Sequence, residues 1–351
     1  MDQIWWERVP NASAFVNDIV SSLSEEHSII LQYSESLPWQ EAFKSFVKET
    51  VCQQNASRSF ETARDIDEPG PFLLNEFCKR EKRSQYRPSK GYAGFFAESD
   101  DIVLNERYLW VEVSTEKQLD SWSTFVSDYL KLRDKKKTSA VFILEWQGSA
   151  PAPKKKGMTV YSFDDYIGDY DRIVFSMLAS SAVKGDTFVK DYLAELASNV
   201  IGNDIELYAE CFARPKEFLQ DPYSVVKDCV ENSIRSDGTP FTFSKSREEV
   251  NHSIWLAQIR TIYPVIEEFR EDFVQKHYSA IKSKLPITTA FDEVYNDPND
   301  VELGTLVYMA GLGLLFLNPK DYEELKAHKD ARNTLSHLGI LSYEEIRMLM
   351  I

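Results

Sequence analysis

The chain has 351 residues and only four cysteines, Cys52, Cys78, Cys211 and Cys229, with no C-x-x-C pair among them. That scarcity argues against a structural zinc site and against a disulfide framework, and predicts free thiols in a reducing compartment. Long apolar runs are missing too. The most apolar stretch, residues 307–317, is far short of a bilayer span. The opening residues, MDQIWWERVPNAS, lack the basic-then-apolar order of a signal peptide. Glycine and proline are modest, at 13 and 14 residues, which excludes a low-complexity or disordered chain. Positive charge is short: 40 Lys and Arg face 56 Asp and Glu, for a net charge of −16. The deficit is −6 up to residue 180 (22 against 28) and −10 beyond it (18 against 28). A broad basic surface is therefore excluded, and any nucleic-acid contact has to be a local patch. A soluble, cytoplasmic protein is expected, with no membrane partner, no metal and no cofactor.

What is present is apolar: 43% of residues are hydrophobic and 13% aromatic, enough for a sizeable core and, at this length, for two domains. Phe15, Val16, Ile19, Val20 and Leu23 recur at helical spacing after Pro10. His27–Tyr33 then reads as a buried strand, and Trp39, Phe43, Phe46 and Val47 as a second helix. Residues 52–105 give no clear pattern. Tyr108–Val113 and Ala140–Trp146 read as buried strands with a helix over Leu119–Leu132 between them, and Met158–Tyr161 as a further strand. Ile173–Leu178 fits a strand or the start of a helix. Strands alternating with helices predict a parallel sheet with helices packed on it.

From about residue 184 only helical patterns remain. Ser246 and Glu249 form a capping box. Beyond it Trp255, Ile259, Ile262, Ile266, Phe269 and Phe273 predict one long amphipathic helix, kinked at Pro264. An apolar helix through Leu317 follows, then one opened by Asn318 and closed by Gly339, then a last short one with Ser342 and Glu345 as a second capping box. Short connections between such helices predict a bundle.

The first turn after a strand in a nucleotide-binding sheet is where glycines and a lysine would cradle phosphate. Here that turn is Tyr33-Ser-Glu-Ser-Leu-Pro-Trp39, without either residue. The strand AVFILEW, with Glu145 near its end, is similar to a Walker B strand. In layout the N-terminal part thus resembles an ATPase of the AAA or STAND type that has lost its phosphate loop. ATPase activity is not expected.

The sharpest motif is Arg332-Asn-Thr-Leu-Ser-His337. Asn333 and His337 are four residues apart and share a helix face, while Arg332 projects about 100° away from Asn333. A histidine titrating near neutrality can move a proton to or from a ribose hydroxyl, and an arginine can clamp the phosphate. The motif resembles the R-x4-6-H signature of HEPN domains, including the polar residue after the arginine. The acidic start of the bundle, Glu267, Glu268 and Glu271, adds to the likeness. The resemblance covers residues 246–351. It implies a helical bundle that dimerises to build a composite site and cleaves RNA without metal. Arg332 would be the phosphate ligand, Asn333 the orienting residue and His337 the acid or base. The bland roles stay open: Arg332 pairing with Asp330 or a bundle glutamate, and His337 capping its helix.

Lys135, Lys136, Lys137, Lys154, Lys155 and Lys156 are candidate nucleic-acid-binding residues, joined by the basic segment Lys79–Lys90 with Tyr86 and Tyr92 as stacking surfaces. Asp101 and Glu112 fit a restriction-type core poorly, because Ser114 stands where a lysine is needed. Asp164 and Asp165 read as a helix cap.

The expected architecture is an α/β domain over residues 1–182, laid out like a P-loop NTPase without the P-loop. A helical, lid-like segment follows over 183–245, and an all-α HEPN-like bundle over 246–351. The expected function is a metal-independent endoribonuclease in prokaryotic anti-phage defence or a toxin system, homodimeric through its bundle, with a possible partner protein and the N-terminal half regulating it. The alternative is a non-catalytic dimerising adaptor of a defence complex.

Overall fold

The computed structural model describes residues 1–99, 102–134, 137–288 and 294–350. The chain divides into two compact units, Met1–Phe175 with Arg235–Thr239, and Ser176–Ile234 with Pro240 onward.

The first unit is built on five parallel strands: β1 Ser28–Tyr33, β2 Ser59–Arg64, β3 Arg107–Val113, β4 Val141–Gln147 and β5 Met158–Ser162. Their order in the sheet is β2-β3-β4-β1-β5, so the chain leaves β1 for the far edge and returns strand by strand. All six residues of β1 are buried, as a central strand covered on both faces requires. β2 is the strand the periodicity misses. As an edge strand it buries only Ala63, and it carries Glu61 and Arg64. Helices Pro10–Ser24, Gln40–Gln54 and Glu116–Leu132 bury one apolar face each. The last is capped by Thr115, which accepts from the Gln118 amide, and buries Trp122, Phe125, Val126 and Tyr129. The N-terminal residues also enter the core: Trp5 and Trp6 are buried, Trp6 stacks near Phe43 with ring centres 4.8 Å apart, and its indole donates to the Pro38 carbonyl at 3.0 Å. Ile173–Leu178 resolves as part of a helix, Asp169–Ser181, because a six-residue apolar run satisfies either period.

Among the described residues the regular structure of the second unit is helical apart from a two-residue ribbon, Ile287–Thr288 with Val294–Tyr295. Helices Thr187–Val200, Ile205–Ala213 and Pro222–Asn232 are capped by Asp186, Asp204 and Asp221. The long helix Arg247–Lys276 opens with the Ser246–Glu249 capping box and runs through Pro264. Its buried face is centred on Val250, Ile254, Ala257, Gln258, Ile262 and Ile266, so Trp255 and Ile259 flank the expected stripe and are only half-buried. The long helix packs on Thr187–Val200 and on Pro319–Ser336. The apolar helix expected through Leu317 is shorter, Leu303–Gly311, and Gly313 follows with φ 71°. The last helix, Tyr343–Met348, carries the second capping box, with Leu341 and Ile346 both buried. No helix among the described residues is long and apolar enough to cross a membrane.

Candidate active site

Arg332, Asn333 and His337 lie at the C-terminal end of helix Pro319–Ser336, whose Asn318 cap accepts from the Asp321 amide. Asp321, Leu325, His328, Ala331 and Leu335 are its buried residues. That places Arg332 and Asn333 beside the buried stripe, both half-buried. Two ties hold this end. The Trp255 indole donates to the Leu335 carbonyl at 2.8 Å. Gln258, fully buried, donates to the Leu341 carbonyl and accepts from the Leu341 amide, both at 2.8 Å.

His337 is the cap residue, solvent-exposed, and its amide still bonds the Asn333 carbonyl at 3.2 Å. The four-residue register of Asn333 and His337 thus persists through the cap. The Arg332 guanidinium reaches the Asn333 side-chain oxygen at 3.4 Å and the Glu302 carboxylate at 2.8 Å. Glu302 is the cap residue of Leu303–Gly311. The structure thus brings Arg332 and Asn333 together, with His337 one turn further and open to solvent. Asp330 pairs with Lys329 instead. Of the two pairings left open for Arg332, the structure shows the one with a bundle glutamate, and Glu302 is the glutamate that the sequence did not single out. It lies 30 residues from Arg332, and no local pattern links them.

The helix end is a correction. The left-handed residue is Leu338, at φ 60°, and Gly339 comes one position later. The Gly339 amide bonds the Thr334 carbonyl at 2.9 Å and the Leu338 amide bonds Leu335 at 3.2 Å, a Schellman closure. Glycine is needed at 339 because a Cβ there would meet the Thr334 carbonyl oxygen at 2.9 Å. Leu338 is 69% exposed and does not join the apolar stripe.

Two further histidines belong to this unit's interior. His328 stacks on Phe269 with ring centres 3.6 Å apart and bonds the Glu324 carbonyl. Burial pushes its pKa below the ordinary histidine value. His277 faces Asp321 at 3.5 Å, and burial lowers its pKa as well.

The expected basic patch is only partly describable: Lys135 and Lys136 lie outside the described residues, as does Asp101. Lys137, Lys154 and Lys156 are exposed, while Lys155 is tied to Asp120 at 3.0 Å and to Thr124 at 2.9 Å. Tyr86 and Tyr92 stack on each other with ring centres 4.4 Å apart, so each covers a face of the other.

At the carboxyl end of the sheet, where open α/β sheets take ligands, the side chains bond one another. Glu145 is buried and accepts from Tyr33 at 2.6 Å, from Gln40 and from Trp110. Burial and the adjacent carboxylate push the Tyr33 phenol far up, so it stays a donor. The first amide after β1, that of Ser34, is taken by the Asp164 carboxylate at 3.0 Å. Glu112, in register with Glu145, pairs with Lys44 and with Arg64 at 2.8 Å. Among the described residues no group of three or more His, Cys, Asp and Glu is arranged to hold a metal.

No protein-family model matches the chain, and no curated protein matches it.

Proposed function

We propose that the chain is a metal-independent endoribonuclease of the HEPN type in prokaryotic anti-phage defence or a toxin system. In this reading it acts as a homodimer through its helical bundle, with the N-terminal α/β part, an NTPase-like layout without a phosphate loop, sensing or regulating. The observation that carries this reading is the constellation at one helix end: Arg332 in contact with Asn333, and His337 exposed one turn on. His337 removes the 2′-hydroxyl proton, the 2′-oxygen attacks phosphorus, the bond from phosphorus to the 5′-oxygen breaks, and that oxygen takes a proton from water, giving a 2′,3′-cyclic phosphate and a 5′-hydroxyl, while the imidazolium returns its proton to solvent. Arg332 balances the charge that builds on the phosphate.

A second reading, a non-catalytic adaptor that dimerises through the bundle, is favoured by the Arg332–Glu302 pair, which already neutralises the guanidinium. Cleavage of labelled total RNA and tRNA in EDTA, by the wild type and by His337→Ala, separates the two. Cleavage lost in the variant supports the nuclease. No cleavage by a folded, dimeric wild type favours the adaptor, and equal cleavage by both proteins removes His337 from the site.

A further inference from the structure

Helix Leu303–Gly311 of the second unit carries no charged residue on any side. One side buries Leu303, Thr305, Leu306 and Met309. The other presents Gly304, Tyr308 and Gly311, with Leu312 as the cap residue, and all four are exposed. The turn of the helix places these four within about 100° of one another, so they form a single face. Tyr308 is 49% exposed, Leu312 56%, and Phe316, a few residues further on, 88%. No charged residue lies between Glu302 and Lys320. A helix without a charged side belongs in an interior, and this one is covered by its own chain on one side only. An open apolar patch of this kind marks a contact. A carbon added at Gly304 or Gly311 would meet no neighbouring group within 4 Å, so no packing inside the chain uses their lack of a side chain.

We propose that a second copy of the chain docks on this face, the two helices lying antiparallel about a two-fold axis at Tyr308. Two observations select a second copy. The first is fit. With the axis at Tyr308, the hollow over Gly304 of each copy takes Leu312 of the other, so one surface serves as both knob and hole. The second is charge. The chain carries −16, and two copies repel over most of their surface. A two-fold contact sets charged groups near their own kind, and a charge-free segment avoids this. A lipid surface fits less well, because residues 303–319 hold none of the lysines and arginines that bind anionic headgroups. The proposal gives a contact surface to the homodimer of the reading above. It rests on that dimer and not on RNA cleavage.

The test is sedimentation equilibrium of the full chain across the micromolar range, where the wild type should be a dimer. Leu312→Glu should raise the dissociation constant about tenfold or more. Gly304→Leu fills the hollow at a position where the chain itself leaves room. It should weaken the dimer similarly, with an unchanged circular dichroism spectrum. Tyr308→Cys should give a disulfide-linked dimer on mild oxidation, while Leu338→Cys, equally open to solvent beyond helix Pro319–Ser336, should not. A dimer that Leu312→Glu and Gly304→Leu leave unchanged would overturn the proposal and leave the homodimer standing. A monomeric wild type would overturn both. If that monomer floated with phosphatidylcholine vesicles and Leu312→Glu did not, the face would belong to lipid.

Discussion

Glu302 Oε2 accepts from Arg332 Nη2 at 2.8 Å, joining the cap of one helix to the C-terminal part of another by a pair that lies partly in solvent. A surface pair of this kind contributes under about 1 kcal/mol to stability. It has a larger effect on the arginine, which it keeps from any other anion. Glu302→Gln should therefore leave thermal stability nearly unchanged while raising affinity for RNA severalfold, read by filter binding at fixed salt. Weaker binding in the variant would mean that Glu302 orients Arg332 and does not restrain it.

Leu338 adopts a left-handed conformation that costs a side chain about 1 kcal/mol and glycine almost nothing. Its exposure means little apolar burial is lost on truncation. Leu338→Gly should stabilise the second unit by about 1 kcal/mol in urea unfolding. Gly339→Ala should destabilise it, since the added carbon meets the Thr334 carbonyl. If both changes were neutral, the helix would end differently in solution.

Trp255 supplies one of the two ties on the motif end of its helix. Trp255→Phe keeps a ring and removes the indole N–H. The expected cost is about 1 kcal/mol, with faster amide exchange over residues 335–339. Unchanged exchange there would show that Gln258 holds this end alone.

The second unit should lose stability on mild acidification. Burial holds His328 and His277 below the ordinary histidine pKa, so the folded bundle binds fewer protons than the unfolded chain once the pH drops below about 6.5. This contribution is present above that pH and is lost as the pH falls through the folded values. Asp321, whose carboxyl is held down chiefly by Lys276, adds a loss only below about pH 4. Melting temperatures at pH 7 and pH 5 should differ less in His328→Gln than in the wild type. An equal or larger difference in the variant would rule out His328 as a source.

Much of this fold is legible in single residues. Ser246 with Glu249 and Ser342 with Glu345 mark two helix starts, and both boxes are formed. The runs at residues 29–33 and 140–146 mark buried strands because both faces of a parallel sheet are covered. β2 is illegible for the opposite reason: an edge strand has one exposed side, and its residues SFETAR carry no apolar signature. The buried face of the long helix is misplaced because Gln258 is fully buried there for its hydrogen bonds, while the larger apolar Trp255 is only half-buried. At the candidate site, Arg332, Asn333 and His337 can be read from one helical turn. Glu302 cannot, because ion pairs across a bundle leave no trace in local spacing.

The order of the sheet sets when the first unit can assemble. Both neighbours of β1, β4 and β5, are made long after it: Ile29 pairs with Ile143, and Ser28 with Met158. During synthesis at roughly 5–20 residues per second, the most apolar strand waits on the order of ten seconds for its partners. Helices Pro10–Ser24 and Gln40–Gln54, already made by then, are available to shelter it. A chain truncated before residue 141 would carry this strand without either neighbour, and its fate would be aggregation or degradation.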